Sequence, residues 1–215
     1  MTPFDLLFIA CFLIAVVSLL RAAYYAGCRR WTSGARVLRR LGYLLVVYLA
    51  VLVAVSLLSR PKVLRMGERQ CFDDWCVSVE HAERRPRVGQ PPADVGARGV
   101  FYVVTVRVSN AARRRAQRAA DAGVCLIDEK GHRYDPSPPG QRALDATGAG
   151  GQDLTTRMPP GGSFVRRVVF DVPREATELA LVVNHGRFPG VLIIGDPHSF
   201  LHAPTVIRLS ELDAR

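Results

Sequence analysis

The side chains best suited to hold a metal ion lie near the carboxyl end of the chain. Asp196, His198 and His202 fall close together in the sequence. In an extended segment these even-numbered positions would share one face and could meet a divalent ion. Pro197 interrupts a regular strand, however, and no fourth ligand is evident. We therefore expect a protein without a resident metal or cofactor, and the three residues define the alternative, a metal-binding or enzymatic outer domain.

Sequence motifs of catalytic sites are missing. The chain has no nucleophile elbow, no glycine-rich phosphate loop before a helix and no metalloprotease helix motif. Three further histidines, His81, His132 and His185, are isolated and are expected at surface turns. The sequence thus favours a protein that is not an enzyme, with no catalytic and no cofactor-binding residue.

The cysteines divide between two environments. Cys71 and Cys76 enclose four residues, and a turn between them would close a disulfide bond, of the kind that persists outside the cytoplasm. Cys125 lies in an apolar segment and is either a buried thiol or a rival partner for one of these two. Asp73 and Asp74 are expected as solvated turn residues, because two adjacent acids supply too few oxygen ligands for Ca²⁺.

Charge is unevenly distributed along the chain. The 215 residues carry a formal net charge of +10, and 49% of them are hydrophobic, which excludes a disordered or collagen-like chain. The first sixty residues hold seven arginines and one acid, Asp5, whereas the rest holds 22 basic and 18 acidic residues. Because the excess charge lies beside the most apolar part of the chain, it indicates a membrane-flanking role and argues against nucleic-acid binding.

Two apolar runs predict a transmembrane helical hairpin within residues 1–60. The spans cover residues 4–26 and 41–59, each close to the roughly 20 residues that a helix needs to cross the hydrocarbon. Residues 21–40, which comprise the loop between the spans and the end of the first span, carry six arginines and no acid. Arginine-rich short loops remain cytoplasmic, so the chain beyond Arg60 should lie outside. A cleaved signal peptide is disfavoured, because residues 1–5 contain no basic residue.

The apolar pattern changes to that of β-strands after a polar tether at residues 61–70. The best strand covers residues 100–109, which are mostly β-branched or aromatic. Residues 163–172 alternate cleanly, and the last strands are expected at residues 190–194 and 205–209. About seven strands without an intervening long helix predict an antiparallel sandwich or barrel.

Two segments are predicted as surface loops. Residues 135–162 are rich in proline and glycine and should form a long loop with a small strand near Leu154, either mobile or a contact surface. Residues 110–120 hold four arginines. Outside the membrane we expect them to be solvated, with lipid headgroups, acidic polymers or a partner protein as alternative contacts.

Four motifs follow one another in a particular order. A strand at 101–110 is followed by a strand at 124–128 that leads into an Asp-x-x-Gly-x-x-Tyr turn, by Pro-Gly-Gly at 160–162 and by Val-Phe-Asp-Val-Pro at 169–173. Over residues 71–185 this order resembles the telokin-like immunoglobulin-fold domain of unknown function found in bacterial surface lipoproteins and membrane proteins. The resemblance implies a β-sandwich outside the cytoplasmic membrane and brings no catalytic residues. Two features depart from the family pattern. The chain has two spans in place of a lipid anchor, and its domain begins with the segment from Cys71 to Cys76.

The predicted protein is therefore mainly β: a transmembrane hairpin, a tether and an extracytoplasmic immunoglobulin-like β-sandwich at residues 71–215. We expect a multi-pass protein of the bacterial cytoplasmic (inner) membrane that works as a binding or scaffolding module, such as an accessory subunit of a membrane complex. Its expected partners are the lipid bilayer and a membrane or envelope protein. Small residues of the second span, such as Gly42 and Ala50, would allow close helix packing in such a complex.

Overall fold

The computed structural model describes residues 3–72, 74–120, 122–184, 190–196 and 199–209. The chain forms two compact units. The first contains the amino-terminal helices and the described part of residues 187–204, and the second contains the β-rich remainder. The chain thus leaves the helical unit after Pro61 and returns to it once, late in the sequence.

Two long helices make up most of the first unit. Helix α1 covers Pro3–Gly27 and helix α2 covers Trp31–Leu58, and a short turn joins them. Both are long and apolar enough to cross a membrane. Only 6% and 17% of their most apolar windows are buried within the protein, whereas a core helix of a water-soluble domain would be largely covered. The two helices are therefore candidates for membrane spans.

Eleven strands are found in the described part of the second unit. One sheet has the antiparallel order β2-β3-β4-β9, the other has the order β1-β11-β10-β6-β7 with only β1 and β11 parallel, and β5 pairs with β8 in a small ribbon. The bounds are β1 Val63–Leu64, β2 Gln70–Phe72, β3 Trp75–Val88, β4 Val95–Asn110, β5 Gln117–Arg118, β6 Gly123–Ile127, β7 Arg133–Tyr134, β8 Arg157–Met158, β9 Ser163–Val172, β10 Ala180–Asn184 and β11 Val206–Arg208.

The two main sheets form a β-sandwich around one apolar core. Val104 and Val106 of β4 and Phe170 of β9 are completely buried, and they share the core with Leu126 and Leu181 of the other sheet. Alternation along a strand sends every second side chain to this interior. The alternation predicted for residues 163–172 is confirmed by the burial of Phe164, Val168, Phe170 and Val172.

A short helix covers the outer face of the four-stranded sheet. Helix α3, Pro138–Ala146, follows Ser137, whose hydroxyl accepts a hydrogen bond from the backbone N–H of Gly140. Its Leu144 packs with Phe101 and Val169 in a second, smaller core. This cover explains why β4 is apolar at consecutive positions: one face of the strand meets the opposite sheet and the other face meets α3.

Several sequence-based boundaries differ from the structure. The predicted loop at residues 135–162 contains α3 and β8, and Leu154 lies in a turn and not in a strand. Residues 61–70 are not a free tether, because Leu64 is buried in β1. The strand expected at 190–194 is a 3₁₀ turn at Gly190–Leu192. Residues 190–204 group with the helices, although their position suggested a part of the sandwich.

Candidate functional site

A cleft of about 760 Å³ opens at one end of the sandwich. It lies where β4 begins and β9 ends, beside the segment that leads into α3. Three prolines of that segment supply apolar surface, and charged side chains of both signs surround them. The main lining residues are Arg98, Asp135, Pro136, Pro138, Pro139, Asp171, Arg174 and Glu175.

Backbone hydrogen bonds hold the charged rim of the cleft. The Asp171 carboxylate accepts hydrogen bonds from the backbone N–H groups of Arg98 and Gly99, both at 3.1 Å. The Arg174 guanidinium donates to the carbonyl oxygen of Gly99 at 3.3 Å. Gly99 permits this close packing, since a Cβ there would lie 2.2 Å from the carbonyl oxygen of Val172. Contacts within the sandwich therefore hold the charged rim of the cleft in place.

Two hydroxyl groups, those of Tyr134 and Ser137, line the cleft. Its two hydroxyl groups are already engaged, because Tyr134 donates to Asp128 at 3.0 Å and Ser137 caps α3. The remaining lining groups are guanidinium groups, carboxylates and proline rings. The cleft surface therefore combines apolar and charged groups.

The Asp-x-x-Gly-x-x-Tyr turn beside the cleft is built around a buried carboxylate. Asp128 accepts hydrogen bonds from the backbone N–H groups of Lys130 and His132, from the His132 ring at 2.9 Å and from the Tyr134 hydroxyl. Burial alone would raise the pKa of Asp128, but these hydrogen bonds and the nearby imidazole lower that pKa to about 2. His132, expected to be isolated, therefore has a structural partner.

Two of the three predicted metal-binding residues, Asp196 and His202, lie in the described part of the chain. Asp196 and His202 both belong to the segment that groups with the helices, and His198 lies outside the described residues. No group of three metal-binding side chains occurs among the residues that the structure describes. The alternative of a metal-binding or enzymatic outer domain thus stays a prediction.

The structure contains the disulfide bond between Cys71 and Cys76. The two residues face each other across the hairpin of β2 and β3, next to the stacked rings of Phe72 and Trp75. Cys125 is a buried free thiol, which resolves the rival pairing in favour of the first alternative. Burial raises the pKa of the Cys125 thiol, so it remains protonated and unreactive near neutral pH.

The arginine-rich loop at residues 110–120 is attached to the sandwich. Asn110 is buried, and its amide donates to the carbonyl oxygens of Arg115, Met158 and Pro159 while its oxygen accepts from the N–H of Ala112. Asp74, predicted to be a solvated turn residue, forms ion pairs with Arg115 and accepts a hydrogen bond from Gln117. Its neighbour Asp73 lies outside the described residues. Arg113 and Arg114 are exposed.

Sequence reasoning missed the charged rim of the cleft. Arg98 and Asp171 are 73 positions apart in the chain, so no local pattern could have paired them. One signal was present, because Asp171 belongs to the Val-Phe-Asp-Val-Pro motif. Its carboxylate joins the end of β9 to the first part of β4 by hydrogen bonds. The prolines of the cleft, by contrast, fall within the predicted contact segment at residues 135–162.

A family model for a domain of unknown function, DUF4352, matches residues 66–190. This match covers more than half of the chain. The chain belongs to the DUF4352 family. The DUF4352 region contains the sandwich strands from β2 to β10, helix α3 and the cleft. No curated protein sequence is significantly similar to the chain.

Several solved structures resemble the chain. A conserved hypothetical protein from Bacillus anthracis is 20% identical, with 56% of this chain and 89% of that chain covered and a TM-score of 0.47. The secreted protein MPT63 from Mycobacterium tuberculosis is 13% identical, with coverages of 70% and 98% and a TM-score of 0.45. An uncharacterised β-sandwich protein from Clostridium difficile is also 13% identical, with coverages of 71% and 96% and a TM-score of 0.42.

Proposed function

We propose that this DUF4352 protein is a two-span protein of the bacterial cytoplasmic membrane that holds an immunoglobulin-like β-sandwich on the outer side. The sandwich works there as a non-catalytic binding or scaffolding module for a membrane or envelope protein. The observation that carries the proposal is the order of two exposed apolar helices around an arginine-rich turn, followed by a sandwich that contains a disulfide bond.

The charges of the helical unit support the proposed orientation. The turn between the helices and its flanks contain Arg21, Arg29, Arg30, Arg36, Arg39 and Arg40 and no acid. Such short basic segments stay in the cytoplasm. An even number of spans then returns the chain to the outer side, where the Cys71–Cys76 bond persists.

The cleft beside α3 is the proposed contact surface for the partner. Its rim is held by the backbone contacts of Asp171 and Gly99, so binding would require little reordering. Prolines with charges of both signs suit an extended protein segment better than a nucleic acid, which would require a mainly positive surface.

Site-specific photocrosslinking in native membranes tests this function. A photoreactive residue at Pro139 in the cleft should capture one recurring envelope or membrane protein, and the same residue at the exposed Ala120, away from the cleft lining, serves as the matched control. Charge reversal at Arg98 should reduce capture from Pro139 several-fold. The absence of a recurring product from Pro139, or equal capture from both positions, would contradict the assigned surface.

A further inference from the structure

The connection between β10 and β11 is much longer than the sandwich requires. These strands are antiparallel neighbours, with Val182 opposite Val206. A hairpin loop of two to five residues commonly joins such a pair. The chain instead uses more than twenty residues here, and loops of more than about 12–15 residues are uncommon and usually functional. We therefore expect this long connection to have a function beyond joining the two strands.

The described part of the excursion packs along helix α2. The Tyr48 hydroxyl donates to the carbonyl oxygen of Leu192 at 2.5 Å, and the N–H of Ala203 donates to the Ser59 hydroxyl at 3.3 Å. Between them, the hydroxyls of Ser56 and Ser199 lie 3.1 Å apart and are both buried. Hydrogen bonds thus join the segment to two residues of α2, Tyr48 and Ser56, and to Ser59, which directly follows the helix.

These contacts extend far along the helix axis. Tyr48 and Ser59 are eleven positions apart in the sequence, which corresponds to about 16 Å at the helical rise of 1.5 Å per residue. The hydrocarbon core of a bilayer is about 30 Å thick. If α2 spans the membrane, a segment that follows it over this length lies within the outer half of the bilayer and not only at the surface.

The large side chains that this segment exposes, among its described residues, are apolar. Leu192, Phe200 and Leu201 are exposed to 38%, 55% and 54%. Leu201 has a φ of +64°, in the region that normally favours glycine. The segment therefore exposes a large apolar side chain at a backbone position that favours glycine. The acid of the described segment, Asp196, instead folds back on Gly190, where an added Cβ would lie 2.9 Å from its carboxylate.

We propose that residues 190–196 and 199–204 belong to a re-entrant membrane segment that enters the outer leaflet beside α2 and places Leu192, Phe200 and Leu201 among the lipid acyl chains. Non-helical backbone at membrane depth requires protein hydrogen-bond partners, and Tyr48 and Ser59 supply two of them. The exposed apolar surface of the segment then continues that of the two helices. This inference rests on the proposed membrane anchoring, and it gives the sandwich a second attachment through β11.

Fluorescence quenching in reconstituted vesicles tests the proposal. Single-cysteine variants of the full chain, with Cys11, Cys28 and Cys125 replaced by alanine, would carry an environment-sensitive probe at Leu192, Leu201, Val47 or Lys130 in phosphatidylcholine–phosphatidylglycerol vesicles. Val47 is an exposed position of α2 and Lys130 an exposed turn position of the sandwich. We expect probes at Leu192, Leu201 and Val47 to be quenched by nitroxide-labelled lipid, with aqueous iodide quenching several-fold weaker than at Lys130.

The outcomes separate the two proposals. If Val47 is quenched by lipid nitroxide but Leu192 and Leu201 are quenched by iodide as strongly as Lys130, the re-entrant segment is overturned while the anchor stands. If Val47 is also quenched only by iodide, the membrane anchoring itself fails. A Tyr48→Phe variant supplies a conservative second measurement, because it removes the hydroxyl from Leu192. It should increase iodide quenching at Leu192 and leave Val47 unchanged.

Discussion

At the scale of single residues, Asp128 couples the stability of the sandwich to pH. Its pKa is about 2 in the folded chain and about 3.9 in an unfolded chain. The ionised carboxylate therefore stabilises the fold above about pH 4, and this contribution is lost as the pH falls towards 2. We expect Asp128→Asn to lower the melting temperature at neutral pH and to flatten its decline in that acid range.

Thermal unfolding followed by near-ultraviolet circular dichroism between pH 2 and 7 would measure this effect. The matched control is Glu129→Gln, which neutralises the exposed neighbour of the same turn. An Asp128→Asn variant that keeps both the wild-type melting temperature and the wild-type acid slope would show that the turn does not depend on the carboxylate.

Asn110 is the second residue on which a local structure depends. Its amide satisfies three carbonyl oxygens from the loop at residues 110–120 and from the segment around β8. Because Asn110→Ala leaves buried polar groups without partners, we expect the free energy of unfolding to fall by about 2–4 kcal/mol. Denaturant titration would measure the loss. The matched control is Asn184→Ala, which removes an amide that donates to the weak acceptor Cys125 at 3.7 Å and should cost clearly less. Equal losses would contradict the assigned role.

At the scale of elements, the sequence predicted those helices and strands whose apolar residues recur with a regular period. The apolar helices, the long β4 strand and the alternation of β9 follow from residue type and period. Helix α3 was missed because its nine residues include two prolines and a glycine, which resemble loop composition. The apolar character of β4 on both faces was the available sign of a covering element. The cleft rim joins residues 73 positions apart, so no local pattern could pair Arg98 with Asp171, although Asp171 lies in the Val-Phe-Asp-Val-Pro motif.

Helix α3 also provides a prediction at this scale. Leu144 is 4% exposed and fills the small core between the helix and the sheet. Leu144→Ala should therefore lower the free energy of unfolding by about 2–4 kcal/mol. Arg142→Ala, at an exposed position of the same helix, should change it by less than about 0.5 kcal/mol. Hydrogen exchange of residues 138–146 would show whether the loss is local; unaltered protection in Leu144→Ala would contradict the packing role.

At the scale of the whole molecule, the first and last described strands of the sandwich, β1 and β11, lie side by side in one sheet. Strand β1 begins soon after Pro61, strand β11 begins soon after Pro204, and the two are parallel neighbours with Val63 opposite Val206. The N–H of Val206 also donates to the carbonyl oxygen of Lys62 at 2.9 Å. The chain therefore enters the first and the last described strands of the sandwich at neighbouring positions of one sheet.

The orientation of the whole protein should depend on the arginines in the turn between the helices and in the first part of α2. We expect inversion when Arg29, Arg30, Arg36, Arg39 and Arg40 are replaced by glutamine and two lysines are inserted after Met1, because basic residues near short loops determine which side stays in the cytoplasm. A cysteine at Lys130, in a chain whose free cysteines Cys11, Cys28 and Cys125 are replaced by alanine, reports the position of the sandwich. An impermeant maleimide should label it in spheroplasts of the parent chain and not in those of the inverted variant.

The matched control removes the same number of arginines from exposed positions of the sandwich outside the cleft lining, at Arg113, Arg114, Arg142, Arg157 and Arg167. Labelling at Lys130 should then remain as in the parent chain, since charges far from the spans contribute little to orientation. The inverted variant should also lose the Cys71–Cys76 bond in the reducing cytoplasm. A sandwich that stays outside without the turn arginines would mean that its orientation is set by another feature, such as folding of the sandwich or its partner.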